Sequence, residues 1–162
     1  MHIVSNTTPI ISLTKAGILE LLGDLYGEVY IPEAVYDELI IKNAFANEAS
    51  IIKKCTFLIV KKVNNDFAVK LIHKQLNLGL GESESIVLAD SMKPELLVID
   101  ERKARRVAKE MGLKITSTLG LLVEAKEQGR ISSIKPVLDK MMNSGIRISE
   151  TLYKDILQKY GE

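Results

Sequence analysis

Five short apolar runs, separated by segments of helical periodicity, limit what this chain can fold into. They lie at residues 2–5, 28–31, 57–60, 96–99 and 113–116, the last being the weakest. Leu96-Leu97-Val98-Ile99 is the most constraining, because an uninterrupted apolar run of that length suits a strand buried on both faces of a parallel sheet. Between the first two runs, Ile10, Ile11, Leu13, Ala16 and Leu19 recur at helical spacing, with Thr8 placed to cap and Pro9 at a first helical position. Pro32 stops the second run and opens a helix through Ala34, Val35, Leu39 and Ile40. Helices are expected over 67–76, over 82–92 after the break Gly79-Leu80-Gly81, and over 102–111, closed by Gly112. A further helix over 118–128 ends at Gly129, and two more follow over 133–142 and 149–160. Alternating β and α segments predict an α/β chain with one parallel sheet of four to five strands and helices on both faces. Residues 133–162 read as a helical C-terminal appendage on a single domain spanning 1–162.

Composition removes several classes of function. At 162 residues the chain has the size of one ordinary domain, and no apolar run approaches the ~20 residues of a membrane-spanning helix. No basic and apolar leader opens the chain, so a cytoplasmic protein without membrane association is expected. The single cysteine, Cys55, excludes an internal disulfide, and no Cys/His cluster suits structural zinc. His2 and His73 are isolated, and Ser12 and Ser85 have no His/Asp support for nucleophilic hydrolysis. No G-x-G-x-x-G follows the first run, which disfavours a dinucleotide enzyme. Residues 1–100 hold 9 Lys and Arg against 13 Asp and Glu, whereas 101–162 hold 13 against 8. That asymmetry suits a cation site beside an anion-binding face, and it equally suits ordinary solvated helices.

In a sheet of this kind, ligands gather outside the carboxyl ends of the strands. Asn6 ends the first strand, and the second leads into Glu33, Asp37 and Glu38. Glu82 and Glu84 follow the glycine-rich break, and Asp100 and Glu101 end the fourth strand. Carboxylates converging on one crevice repel one another unless a cation lies between them, and an all-oxygen donor set suits Mg²⁺ or Mn²⁺.

The segments 3–13, 31–38, 81–89 and 97–105, in this order, resemble the motifs of PIN-like domains. They read IVSNTTPIISL, IPEAVYDE, GESESIVLA and LVIDERKAR. The ending Thr118-Leu119-Gly120-Leu121-Leu122, with Ala125, Lys126 and Gly129, is similar to a prokaryotic subgroup of that superfamily. The resemblance implies a three-layer α/β/α sandwich that holds Mg²⁺ or Mn²⁺ with about four acidic positions. It also implies a ribonuclease acting on RNA, toxin-type relatives with an antitoxin protein as partner, and homodimers. Carried over residue by residue, the acidic positions fall on Asn6, Glu38, Glu84 and Asp100, with Glu38, Glu84 and Asp100 as catalytic carboxylates. Glu82 competes for the third place, since glutamates two apart on a helix point about 200° apart, and Glu101 is an accessory candidate. Arg102, Lys103, Arg105, Arg106 and Lys109 are the residues expected to meet phosphates.

Asn6 departs from the family pattern, which has aspartate there, although the subgroup often carries asparagine. A carboxamide oxygen can coordinate a cation but brings no charge and cannot act as a base. The sequence therefore also accommodates a degenerate PIN-like module that binds nucleic acid or a protein without cutting. Each candidate has a plainer role as well: Asn6 as a turn residue, Glu38 as a solvated helix carboxylate, Glu82 in a first helical turn, Asp100 as a cap for the helix at Arg102, and 102–109 as a solvated face. A phosphotransfer domain fits poorly, because it wants a nucleophilic aspartate where Asn6 stands.

Overall fold

The computed structural model describes residues 2–162. Five parallel strands form one sheet: β1 (His2–Ser5), β2 (Glu28–Pro32), β3 (Leu58–Lys61), β4 (Leu97–Val98) and β5 (Ile115–Thr116), in the order β3-β2-β1-β4-β5. β1 is central, pairing Val4 with Tyr30 on one side and Ser5 with Val98 on the other. The order reverses at β1, so the crevice at the topological switch point opens beyond Ser5 and Val98.

Period-two alternation divides the apolar residues between two faces. Ile3 and Val98 join a core with Leu13, Leu22, Ile31 and Leu121. Val4, Leu97 and Ile99 join a second core with Ile72, Ile86 and Val107. The helices are α1 (Thr7–Lys15), α2 (Glu20–Tyr26), α3 (Glu33–Tyr36), α4 (Ala46–Ile52), α5 (Asp66–Lys70), α6 (Leu80–Met92), α7 (Arg102–Glu110), α8 (Thr118–Glu127), α9 (Lys135–Asn143) and α10 (Glu150–Lys159). Packed on both faces of the sheet, they make the three-layer α/β/α architecture. Ile134, Leu138, Met141 and Leu157 from the C-terminal helices are buried in the first core. Among the described residues no helix is long and apolar enough to cross a membrane.

Several local expectations shift. α1 starts at Thr7 with Asn6 at the cap position, so Thr8 does not cap and Pro9 falls third in the helix. Proline is tolerated there because first-turn N–H groups have no intrahelical acceptor. The periodicity through Leu19 runs across a turn at Gly17, whose φ of 74° breaks the helix before α2. α2 and α4 add to the helices that the apolar spacing predicts, and β3 sits one residue later than expected. Only Leu97 and Val98 of the fourth run are ladder residues, although the Ile99 N–H still donates to the Thr116 carbonyl at 2.9 Å. α3 runs without a break into a π-helical turn, Asp37–Ile41, in which the Lys42 N–H reaches back to the Asp37 carbonyl at 2.9 Å. A second π-helical turn, Leu71–Gln75, continues α5.

Candidate metal centre

The carboxyl end of β1 delivers Asn6 into a cavity of about 270 Å³ shared with Thr7, Thr8, Glu38, Lys42 and Glu82. The Asn6 backbone is pinned by its N–H donating to the Val98 carbonyl at 3.0 Å. The residue is 4% exposed, and Oδ1 accepts no hydrogen bond from the described residues. As the residue before α1, Asn6 is placed to cap the helix, yet its side chain makes no capping bond. The carboxamide oxygen therefore forms none of the turn-stabilising bonds open to it.

Glu38 comes from the π-helical turn. Its Oε2 accepts the Thr7 hydroxyl at 2.5 Å, which ties the carboxylate to the residue next to Asn6. Gly81, at the start of α6, leaves the space in which Glu38 lies: a Cβ there would stand 2.7 Å from Glu38 Oε1. Glu82 reaches back to the Gly79 N–H at 2.9 Å, closing the first turn of α6. Burial pushes the Glu82 carboxyl above the ordinary carboxylate range, against the pull of the Gly79 N–H, and the Glu101 and Glu38 charges add to the rise. The lining thus carries two carboxylates, Glu38 and Glu82, against one cation, Lys42.

The other expected ligands are placed differently. Glu84 does not line the cavity with Asn6; its Oε2 accepts the Ala34 N–H at 2.9 Å, at the open N-terminus of α3. Asp100, at the end of β4, holds the first residue of α8: Oδ1 accepts the Thr118 N–H at 2.7 Å and Oδ2 the Thr118 hydroxyl at 2.6 Å. It braces the start of α8, which Ser117 caps by accepting the Gly120 N–H at 3.1 Å, and does not cap the helix at Arg102, which Glu101 caps by accepting the Ala104 N–H at 2.6 Å. Asp100 lines a neighbouring trough, and Thr8 belongs to both hollows. The structure therefore brings Asn6, Glu38 and Glu82 together, sets Asp100 next door, and turns Glu84 to α3.

The basic helix α7 buries Ala104, Val107 and Ala108 and exposes Arg102, Lys103, Arg106 and Lys109. Arg102, Arg105, Arg106 and Lys109 line a shallow hollow of about 330 Å³. Arg105 differs from its neighbours: it is half-buried, donates from Nη1 to the Ile99 carbonyl at 2.9 Å, and also lines the trough with Asp100. Four further residues of the site, Thr7, Gly81, Thr118 and Arg147, carry no functional signal in the sequence. The first three act through contacts between distant segments. Arg147 lies in the loop between α9 and α10, where a single arginine carries no periodic signal.

The family model described as DUF3368, a PIN domain, matches residues 2–162. The chain belongs to this PIN-domain family. No curated protein matches it. PIN domains are nuclease-like modules that generally use divalent metals, and the donors of this one can be weighed against such an ion. Asn6, Glu38 and Glu82 offer only oxygen, the donor type of Mg²⁺ and Mn²⁺, and the unpartnered Asn6 Oδ1 is an acceptor that such an ion would satisfy. Among the described residues no group of three or more His, Cys, Asp and Glu side chains is arranged to hold a metal ion. The PIN donors of this chain fit in chemistry, with fewer carboxylates at one point than the four acidic positions of the family pattern.

Proposed function

We propose that this PIN domain is a divalent-metal-dependent ribonuclease whose ion is held by Asn6, Glu38 and Glu82, with Asp100 beside it. The observation that carries the reading is the buried Asn6 Oδ1, which has no hydrogen-bond partner and shares one cavity with Glu38 and Glu82. A buried acceptor left unmet costs about 1–3 kcal/mol, and two nearby carboxylates add repulsion. A fold that keeps all three together supports a role for a cation. Glu82 takes the third acidic place in this proposal, because Glu84 is engaged with α3.

When bound, Mg²⁺ or Mn²⁺ would neutralise charge on a phosphodiester and lower the pKa of a coordinated water. The chain's own residues do the rest. Thr7 holds one oxygen of Glu38 and leaves the other facing Gly81. Thr118 fixes both oxygens of Asp100, so the carboxylate keeps a single orientation at the mouth of β4. Arg102, Arg106 and Lys109 offer an exposed cationic face to flanking phosphates, with Lys103 beside them. Glu101 is tied to the first turn of α7 and acts through its charge on Glu82.

Two observations favour a second reading, a PIN module that binds RNA or a protein without cutting. Asn6 brings no charge, and both oxygens of Asp100 are already engaged by Thr118. The toxin-type role, an antitoxin partner, a homodimer and a cytoplasmic setting enter the proposal through the family resemblance alone.

Calorimetric titration of Mn²⁺, paired with cleavage of a single-stranded RNA, separates the two readings. A nuclease binds Mn²⁺ and cuts, and Glu38→Gln or Glu82→Gln weakens both. A wild-type chain that binds RNA but takes up no Mn²⁺ and leaves the strand intact is the non-cutting module.

A further inference from the structure

The acidic cavity is one end of a longer depression. Thr8, exposed in the first turn of α1, lines it together with two neighbouring hollows of about 470 and 330 Å³. The larger has Asp100, Arg105 and Arg147 on its walls, and the smaller has Lys15 and Arg147. Arg147 therefore belongs to both, and among the described residues its guanidinium makes no ion pair or hydrogen bond. It is exposed on the loop after α9, and that loop crosses back over α1 beside Thr8.

The depression changes character along its length. At Asn6, Glu38 and Glu82 it is acidic, and beyond Thr8 it is cationic at Arg105 and Arg147, Lys15 being paired with Glu48 at 4.0 Å. The floor of the larger hollow is apolar, with Leu119, Ile148 and Leu152 contributing. At about 470 Å³ it has the size of a small-molecule site, large enough for a nucleoside. Asp100 lines it too, but both its oxygens are met by Thr118 donors. Planar guanidinium groups match phosphate oxygens bidentately, and a sugar with its base would cover the apolar floor.

We propose that this trough is a nucleotide subsite. The nucleotide next to the one at the acidic cavity would place its phosphate between Arg105 and Arg147 and lay its sugar and base on the floor at Leu119, Ile148 and Leu152. Resting on the nuclease reading above, the proposal adds a direction to it: the strand crosses Thr8 and leaves past the loop between α9 and α10. Arg147 is a substrate-binding residue, and the C-terminal helical pair supplies one wall of the substrate path.

The test uses fluorescence anisotropy of a short fluorescein-labelled single-stranded RNA in Ca²⁺ buffer over a range of salt concentrations. Arg147 and Leu152 are exposed, so Arg147→Ala, Arg147→Lys and Leu152→Glu should fold, as circular dichroism will check. Arg147→Ala is expected to weaken binding roughly tenfold and to reduce the salt slope by about 0.7, the value of one phosphate contact on a single strand. Arg147→Lys should retain the slope. Leu152→Glu, which sets a carboxylate on the floor, should weaken binding comparably. If wild type binds and both Arg147→Ala and Leu152→Glu match it in affinity and slope, the subsite is overturned while the acidic cavity keeps its reading. A trough that serves a protein partner gives that same result. A wild-type chain that does not bind the strand at any salt concentration overturns the nuclease reading and the subsite together.

Discussion

Gly81 and Glu38 are in such close apposition that a Cβ on the glycine would stand 2.7 Å from Glu38 Oε1. The two residues come from different segments, the start of α6 and the π-helical turn after α3. Gly81→Ala should therefore act on the carboxylate rather than on the fold. The clashing atom is the far end of a flexible side chain, which can move aside, and alanine is about 1 kcal/mol better than glycine in a helix. The expected outcome is unchanged or raised thermal stability with roughly tenfold weaker Mn²⁺ binding. Calorimetric titration beside a melting curve checks it, and unchanged Mn²⁺ affinity would remove Glu38 from the metal site.

Glu82 and Glu84 lie two residues apart and should fail in different ways. Glu84 accepts the Ala34 N–H at the open end of α3, so Glu84→Ala should cost about 0.5–2 kcal/mol of stability and leave Mn²⁺ binding in place. Glu82→Gln should do the reverse. Its carboxyl is raised by burial and by the charges of Glu101 and Glu38, so the folded chain holds that proton to higher pH than the unfolded chain does. The ionised form is then a penalty on folding, absent below the ordinary carboxylate pKa and fully developed above the raised one. Glu82→Gln should lift the melting temperature by roughly 1–3 °C at neutral pH, with the gain vanishing in acid. Melting curves of both variants across pH, with Mn²⁺ titration, distinguish the two residues.

These pairs also mark how far the chain could be read before it was folded. Alternating apolar runs and helical segments were enough for the sheet, its parallel sense and the three layers, because an apolar run such as residues 96–99 can be buried only between two helical layers. The positions of Asn6 and Asp100 beside adjoining hollows follow from the strand ends of such a sheet lying along one edge, their part as ligands being the proposal above. The choice between Glu82 and Glu84 was not. It depends on α6 starting at Leu80 and on the open end of α3 standing within reach of Glu84, which are facts of packing. The extra residue per turn that carries Glu38 has no signature in apolar spacing. Arg147 stood outside every periodic segment, and only the return of the C-terminal helices across α1 brings it to Thr8.

Asp100 is expected to serve both stability and chemistry. Its two oxygens meet a backbone N–H and a hydroxyl on Thr118. In Asp100→Asn the amide nitrogen must face one of those donors, so one half-buried bond is lost and the variant should be about 1 kcal/mol less stable. RNA cleavage should fall at least a hundredfold if the carboxylate neighbours the ion. Thr118→Val provides the control: it removes the hydroxyl bond and keeps the charge, so it should lose stability with a much smaller loss of cleavage. Chemical denaturation and initial cleavage rates on both variants check the pair. Equal cleavage losses would mean that Asp100 acts only by holding α8.

Glu162 ties down the start of α9, and its behaviour in acid should be measurable. The side chain accepts the Ile134 and Lys135 N–H groups and the Ser133 hydroxyl, so one carboxylate meets the open start of α9. Those donors, the Ile134 N–H foremost, hold its pKa down from 4.5 to about 2, with Lys126 adding its charge. A depressed carboxylate contributes stability that is complete above its unfolded pKa and lost as pH falls through the folded value. The contribution should therefore disappear between about pH 4.5 and about pH 2. Since Ile134, Leu138 and Met141 are buried in the first core, loosening the start of α9 should register as global stability and not as local fraying. Glu162→Gln should lower the urea midpoint at pH 6 and make the acid limb between pH 4.5 and 2 shallower than in wild type. Urea unfolding of both chains across that range gives the comparison, and parallel acid limbs would mean that the contact contributes nothing to folding.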